Sequence, residues 1–221
     1  MMLIACAAEC EGGYLAQLRR KAKAEGIDFL FHILKPFTWA GLVRWELEIA
    51  KSYPNERIVF VDAWDFLMLG TKAELETIVN TFDLLYHSDN VCWPEPHKAD
   101  SYRVDRDTEF RYVNGTGPTG VGSVIAEAIE FGLDNFPVRG EESSIFADND
   151  QRFWTDVFLS GRGEIDTECW LSASLNAVNP SEYRVFDKRL VMDNGSMPVF
   201  AHLNGGTREG YIEILRGLQC V

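Results

Sequence analysis

The sequence predicts an α/β fold, a mostly parallel sheet with flanking helices, in one domain spanning residues 1–221. Three observations carry this. Apolar runs of strand length alternate with stretches of helical spacing from the N-terminus onward, β-α-β-α-β, a pattern that favours parallel strands joined by right-handed crossovers. The run Ile58-Val-Phe-Val61 lies between Arg57 and Asp62 and reads as a buried strand. That strand ends in Asp62, with Asp65 three positions later, and the carboxyl edge of an open α/β sheet is where ligands bind.

In chain order, residues 3–8 read as a first buried strand and Gly12-Gly13 as a turn. Residues 14–24 have helical spacing (Leu15, Leu18, Ala22), closed by Gly26 as a C-cap. Residues 27–32 read as a second strand and 35–38 as a loop. Residues 39–53 form an amphipathic helix stopped by Pro54. After the carboxylate-tipped strand, 72–81 is a helix with Thr71 a candidate cap, and 82–87 a strand. Residues 98–111 form a long polar stretch, a length that marks a functional or mobile loop. Gly115, Gly117 and Gly120 then imply tight backbone geometry or close approach to a ligand. Residues 121–132 look helical, as does the aromatic run around Phe153, Trp154, Val157 and Phe158. Residues 181–187 and 198–202 look like late strands.

Composition excludes some functions. A net charge of −13 with scattered Lys and Arg argues against a nucleic-acid or anionic-membrane surface. An anionic substrate would need a local cation, which a bound metal supplies. The cysteines, Cys6, Cys10, Cys92, Cys169 and Cys220, are odd in number and hold no C-x-x-C pair, which suits a reducing compartment. Residues 1–8 are apolar but short, lack a basic leading region and run into Glu9 and Glu11; a cytoplasmic protein is expected. No stretch is long enough to span a membrane.

Asp62, Asp65 and His202 form the first candidate constellation. Two carboxylates and an imidazole suit Mn²⁺ well and Mg²⁺ less well, with a substrate's phosphates completing the shell. The alternatives are acids that cap a helix and a hydrogen-bonded histidine at a strand end. Asn204-Gly205-Gly206 follows His202 and offers backbone N–H groups to a phosphate. Asp148, Asp150 and Gln151 are the second group, either a capped helix start or a base or carboxylate that orients a sugar hydroxyl. Trp93 is the third, suited to stacking on a sugar or base, or equally to anchoring its loop in the core. Asn114 is either a sugar ligand or a turn asparagine.

The order of these motifs resembles a known family. Val59-Phe-Val-Asp-Ala-Trp-Asp65, Cys92-Trp-Pro-Glu95, Tyr112-Val-Asn-Gly-x-Gly-x-x-Gly120, Asp148-x-Asp-Gln-x-Phe-Trp-Thr155 and His202-x-Asn-Gly205 follow one another as in the glycosyltransferase domain of procollagen lysyl hydroxylases, related to the collagen galactosyltransferases. The resemblance covers about residues 1–206. It implies a GT-A fold, Rossmann-like, with a UDP-sugar donor (UDP-glucose or UDP-galactose) and Mn²⁺. It implies metal ligation by Asp62, Asp65 and His202, and nucleotide-sugar contacts from Arg44, Trp93, Asn114, Gln151, Asn204 and Gly205. It implies catalytic carboxylates at Asp148 and Asp150, with Asn149 interrupting the family's acidic run. Thr116 and Pro118 depart from the family's small or aromatic residues. A stand-alone microbial or viral enzyme with an acceptor other than collagen is expected.

The resulting expectation is a metal-dependent glycosyltransferase acting on an unknown glycan, protein or small-molecule acceptor. A non-catalytic nucleotide-sugar or glycan binding module on the same fold is the first alternative. A metal-dependent phosphohydrolase is the second, but that chemistry wants an acid two positions after the nucleophilic Asp, where this chain has Trp64.

Overall fold

The computed structural model describes residues 2–103, 108–136, 149–176, 183–204 and 216–218. β1 (Met2–Ala8) is buried along its whole length, because β2 (Asp28–Ile33) and β3 (Arg57–Phe60) pair with it in parallel on either side. Its side chains alternate between two cores. Leu3, Ala5 and Ala7 join one; Ile4, Cys6 and Ala8 join the other. A strand covered on both faces has no polar face, which is why it reads as an unbroken apolar run.

The helices take their bounds from local chemistry. α1 (Leu15–Ala24) buries Leu15, Leu18 and Ala22, and Gly26 follows it at φ +66°, the left-handed conformation that ends a helix cheaply only at glycine. α2 (Trp39–Ser52) starts where the Thr38 side chain accepts a hydrogen bond from the Gly41 N–H, and faces the sheet with Leu42, Val43, Trp45 and Ala50. β4 (Phe66–Met68) precedes α3 (Lys72–Thr81), which opens on a capping box between Thr71 and Glu74.

Three departures from the expected pattern matter. The expected strand over 82–87 breaks at His87 into β5 (Leu84–Tyr86) and β6 (Ser88–Asp89). The His87 ring is buried and held between the Phe60 carbonyl (3.1 Å) and the Ser172 hydroxyl (2.7 Å), which turns the chain away from the sheet. The polar stretch over 98–111 is not all loop: Pro96–Ser101 is a 3₁₀ turn pinned by Lys98, which bonds Glu95 (2.6 Å) and Asp156 (2.7 Å). β7 (Tyr112–Val113) then pairs antiparallel with β6.

The third departure is β8 (Thr119–Val121), which runs antiparallel between β3 and β5 in an otherwise parallel sheet of order β2-β1-β3-β8-β5-β9. Gly120 permits the insertion: a Cβ there would sit 2.1 Å from the Asp83 carbonyl oxygen. The close approach that this glycine serves is strand against strand. α4 (Gly122–Asn135) and α5 (Gln151–Leu159) pack on the same face as α2, and β9 (Glu164–Ile165) completes the sheet edge.

A second, smaller sheet carries part of the site. β10 (Ser172–Ser174) pairs in parallel with β13 (Phe200–His202), which pairs antiparallel with β4. β11 (Tyr183–Phe186) and β12 (Arg189–Met192) form a hairpin beside it. β11 and β13 fall in the two late strand regions read from sequence; β4, β9, β10 and β12 lie outside every stretch read as a strand.

Candidate active site

The carboxyl ends of β3 and β13 bring Asp62, Asp65 and His202 together. β4 begins one residue after Asp65, and its antiparallel register sets His202 opposite Phe66, with the Leu203 N–H donating to the Asp65 carbonyl (2.9 Å). His202 Nε2 lies 3.3 Å from Asp65 Oδ1 and 3.4 Å from Asp62 Oδ2, and a ligand atom from each residue lies within 4.8 Å of the others. His202 Nε2 and Asp65 Oδ1 are buried without a hydrogen-bond partner. Buried polar atoms are rarely left so, and these two, converging with Asp62 on one point, fit a divalent cation. Among the described residues this is the cluster that could hold a metal.

Electrostatics agree. Burial opposes charge on His202, but Asp65 and Asp62 outweigh it and push the imidazole up to about 10. Burial likewise opposes charge on Asp65, and His202 overcomes it and holds the carboxyl below its ordinary value. The pocket is thus built to carry a positive charge between two carboxylates. The His202 ring lies against Phe66 at 4.2 Å, and the His87 ring meets Phe66 edge-to-face at 5.5 Å. Burial first, then the charge on His202, holds His87 down to about 3, so it packs as a neutral ring.

A cleft of about 440 Å³ opens beside the triad, lined by Asp89, Trp93, Asn114, Gly115, Asn149, Asp150, Gln151, Asn176 and Asn204 as well as the three ligand candidates. Its polar groups are tied together. Asp89 Oδ2 accepts from Asn114 Nδ2 (3.0 Å) and Asn204 Nδ2 (3.2 Å), and Ser174 donates to Asn204 Oδ1 (2.8 Å). Gln151 donates to the Val113 carbonyl (2.8 Å). Gly115 permits the close approach of this loop to Asp150: a Cβ would meet Asp150 Oδ1 at 3.0 Å.

Asp150 stands at the start of α5 but makes no side-chain cap bond, so the capped-helix reading of it does not hold. Burial and then the charge on Asp62 raise its carboxyl well above the ordinary range, partly offset by the Asp150 and Gln151 amides. Glu46, on α2, is buried with Oε2 unpartnered and is raised by burial, then by Asp150 and Asp62.

A second cavity of about 350 Å³ shares Trp39, Asp62 and Asp65 with the first but is largely apolar, lined also by Ala7, Ala8, Phe37, Leu42, Ala63 and Trp64. Trp64 is 47% exposed. The Gly12-Gly13 turn makes room for it: a Cβ at Gly12 would meet the indole at 2.5 Å, and one at Gly13 would meet the Trp64 carbonyl oxygen at 1.9 Å. Sequence reasoning passed over Phe37, Trp39 and Trp64, although an aromatic between the two carboxylates was visible as a signal.

The other expected site residues divide between the cleft, the helix surface and the stretches outside the described residues. Trp93 is 53% exposed and lines the cleft, so it is not a core anchor. Asn114, Gln151 and Asn204 line the same cleft. Arg44 is exposed on α2 and lines neither cavity, because the helix turns Leu42, Val43, Trp45 and Glu46 inward and leaves that position outside. Asp148 and Gly205 lie outside the described residues.

A family model described as the PLOD GT domain matches residues 40–213. Two curated relatives, each titled multifunctional procollagen lysine hydroxylase and glycosyltransferase LH3, from Pongo abelii and Homo sapiens, are 25% identical over 181 residues, 75% of this chain and 23% of theirs. The chain therefore spans less than a quarter of their length. A crystal structure of a glycosyltransferase involved in the glycosylation of the major capsid of PBCV-1 superposes with a TM-score of 0.55 over 100% of this chain and 99% of that one, at 11% identity, a likeness of fold.

Proposed function

The chain belongs to the PLOD GT domain family, and from that premise we propose that it is a metal-dependent glycosyltransferase moving a hexose from a UDP-sugar, UDP-glucose or UDP-galactose, to a hydroxyl acceptor. The observation that carries the metal is the convergence of Asp62, Asp65 and His202 on one point, with two of their buried atoms unpartnered. A divalent ion there, Mn²⁺ or Mg²⁺, supplies Lewis-acid stabilisation of the diphosphate leaving group.

The chain's own residues do the rest. The two cavities meet at Asp62 and Asp65, which divides a nucleotide-sugar naturally: the base on the apolar side against Trp64, Trp39 and Phe37, the sugar on the polar side among Asn114, Asn204 and Gln151. Trp93 shields the sugar from water at the open rim. In its carboxylate form Asp150 is a strong proton acceptor, because burial and the neighbouring Asp62 charge raise it. As the acceptor oxygen bonds to the anomeric carbon its proton passes to Asp150, and the electron pair of the breaking sugar–oxygen bond leaves with the diphosphate. The acceptor is a glycan, protein or small molecule bearing a hydroxyl.

Incubation with UDP-glucose or UDP-galactose and Mn²⁺, with free UDP assayed, tests this reading. Metal-dependent UDP release is expected, abolished by EDTA. UDP binding without release from any UDP-sugar would instead identify a non-catalytic binding module.

A further inference from the structure

We propose that the Thr116 hydroxyl is the positioning group that holds Asp62 ready for a divalent cation. The inference rests on the metal reading above and deepens it.

The three ligand candidates are not equally held. His202 has a 4% exposed side chain and is fixed by the Phe66 ring and the β13–β4 register. Asp65 directly precedes β4, and its carbonyl accepts the Leu203 N–H. Asp62, with a side chain 38% exposed against 33% for Asp65, lies past the end of β3 and outside the β13–β4 register. Its carboxylate Oδ2 accepts a hydrogen bond from Thr116 Oγ1 at 3.0 Å. Thr116 is itself 2% exposed. A carboxylate oxygen has lone pairs for both this donor and a cation, so the bond aims Asp62 without blocking it.

The hydroxyl has a second neighbour, Asn114 Oδ1 at 2.9 Å, but only one proton. Asn114 Oδ1 already accepts the Thr116 backbone N–H at 3.0 Å, and its amide is oriented from the other end by Asp89. The charged acceptor is the stronger one, so the proton serves Asp62. Removing the hydroxyl therefore leaves Asn114 its backbone donor and takes from Asp62 the hydroxyl donor that aims it, leaving it the His202 contact alone among its neighbours in the triad.

The test is Mn²⁺ affinity, measured by calorimetry on the nucleotide-free protein, for wild type, Thr116→Val, Thr116→Ser and Asp65→Asn. Thr116→Val keeps the shape and loses the hydroxyl; a 10- to 100-fold weaker Mn²⁺ affinity is expected, the order seen for outer partners of metal ligands. Thr116→Ser keeps the hydroxyl and is expected to bind within about threefold of wild type, on the same scale. Wild-type affinity in Thr116→Val overturns the proposal, as does equal weakening in both variants, which would assign the effect to packing of the methyl group. Should Thr116→Val fold poorly by circular dichroism, Thr116→Ala set against Thr116→Ser gives the same comparison. No Mn²⁺ binding by wild type, or binding that survives Asp65→Asn, would fault the metal reading and is distinct from either outcome.

Discussion

The side of the cleft proposed for the metal and the side proposed for the sugar differ in how they fix their side chains. On the metal side, Asp65 and His202 are placed by backbone pairing between β4 and β13. On the other side, Asn114 and Asn204 are held by their side-chain bonds to Asp89, and Gln151 by its bond to the Val113 carbonyl of β7. Strand register positions a residue whatever its neighbours' identities; a side-chain network depends on every member. Changes on the metal side should therefore remove a function cleanly, while changes on the sugar side should spread to neighbours.

Asp65→Asn is expected to have the largest effect, on the order of 10³-fold in turnover, the several kcal/mol a metal contributes to a developing charge. Mn²⁺ binding should fall with it while the ion-free protein still melts cooperatively. Unfolding of the ion-free variant would make Asp65 a structural residue and erase the contrast. Asp150→Asn comes next, with transfer reduced on the order of 10²-fold and UDP and Mn²⁺ affinities retained. Steady-state transfer and calorimetry measured on the same preparation check this; parallel losses in both would move Asp150 to the binding side.

Asn114→Ala probes the network. It leaves Asp89 short of one donor, and a rise in the donor KM on the order of 10-fold is expected. Mn²⁺ affinity should not fall, because the Thr116 proton then has Asp62 as its remaining acceptor. A fall in Mn²⁺ affinity would show the two sides to be one unit. Trp93→Ala should have the smallest effect, a donor KM raised about threefold to tenfold, the ~0.5–1.5 kcal/mol of an aromatic contact at an open rim. A change in Mn²⁺ affinity would contradict its assignment to the sugar side.

The same contrast explains what was legible in the sequence. The strand ending in Asp62 and Asp65 was readable because a buried strand is an apolar run and its end is a change of polarity. His202 was readable as a strand end, and Asp65 and His202 meet through a register that the short β4 conceals. β8 gives no sign of an antiparallel insertion because three residues show no period, and of the two readings of Gly120, tight backbone geometry or close approach to a ligand, its Asp83 carbonyl neighbour fits the first. Arg44 illustrates the limit of matching by position: the helix was read correctly, yet its inward face is set by Leu42, Val43, Trp45 and Glu46. Glu46, a buried acid in a helix otherwise read as amphipathic, gives no sign in the sequence of facing the site carboxylates.

UDP binding followed by calorimetry with Mn²⁺ present, and again in EDTA, tests most directly whether Asp62, Asp65 and His202 form a metal site on which nucleotide recognition depends. Two phosphates beside two carboxylates repel unless a cation lies between them. Saturable UDP binding with Mn²⁺ and none in EDTA is the expected result. Equal UDP affinity in both conditions would contradict it.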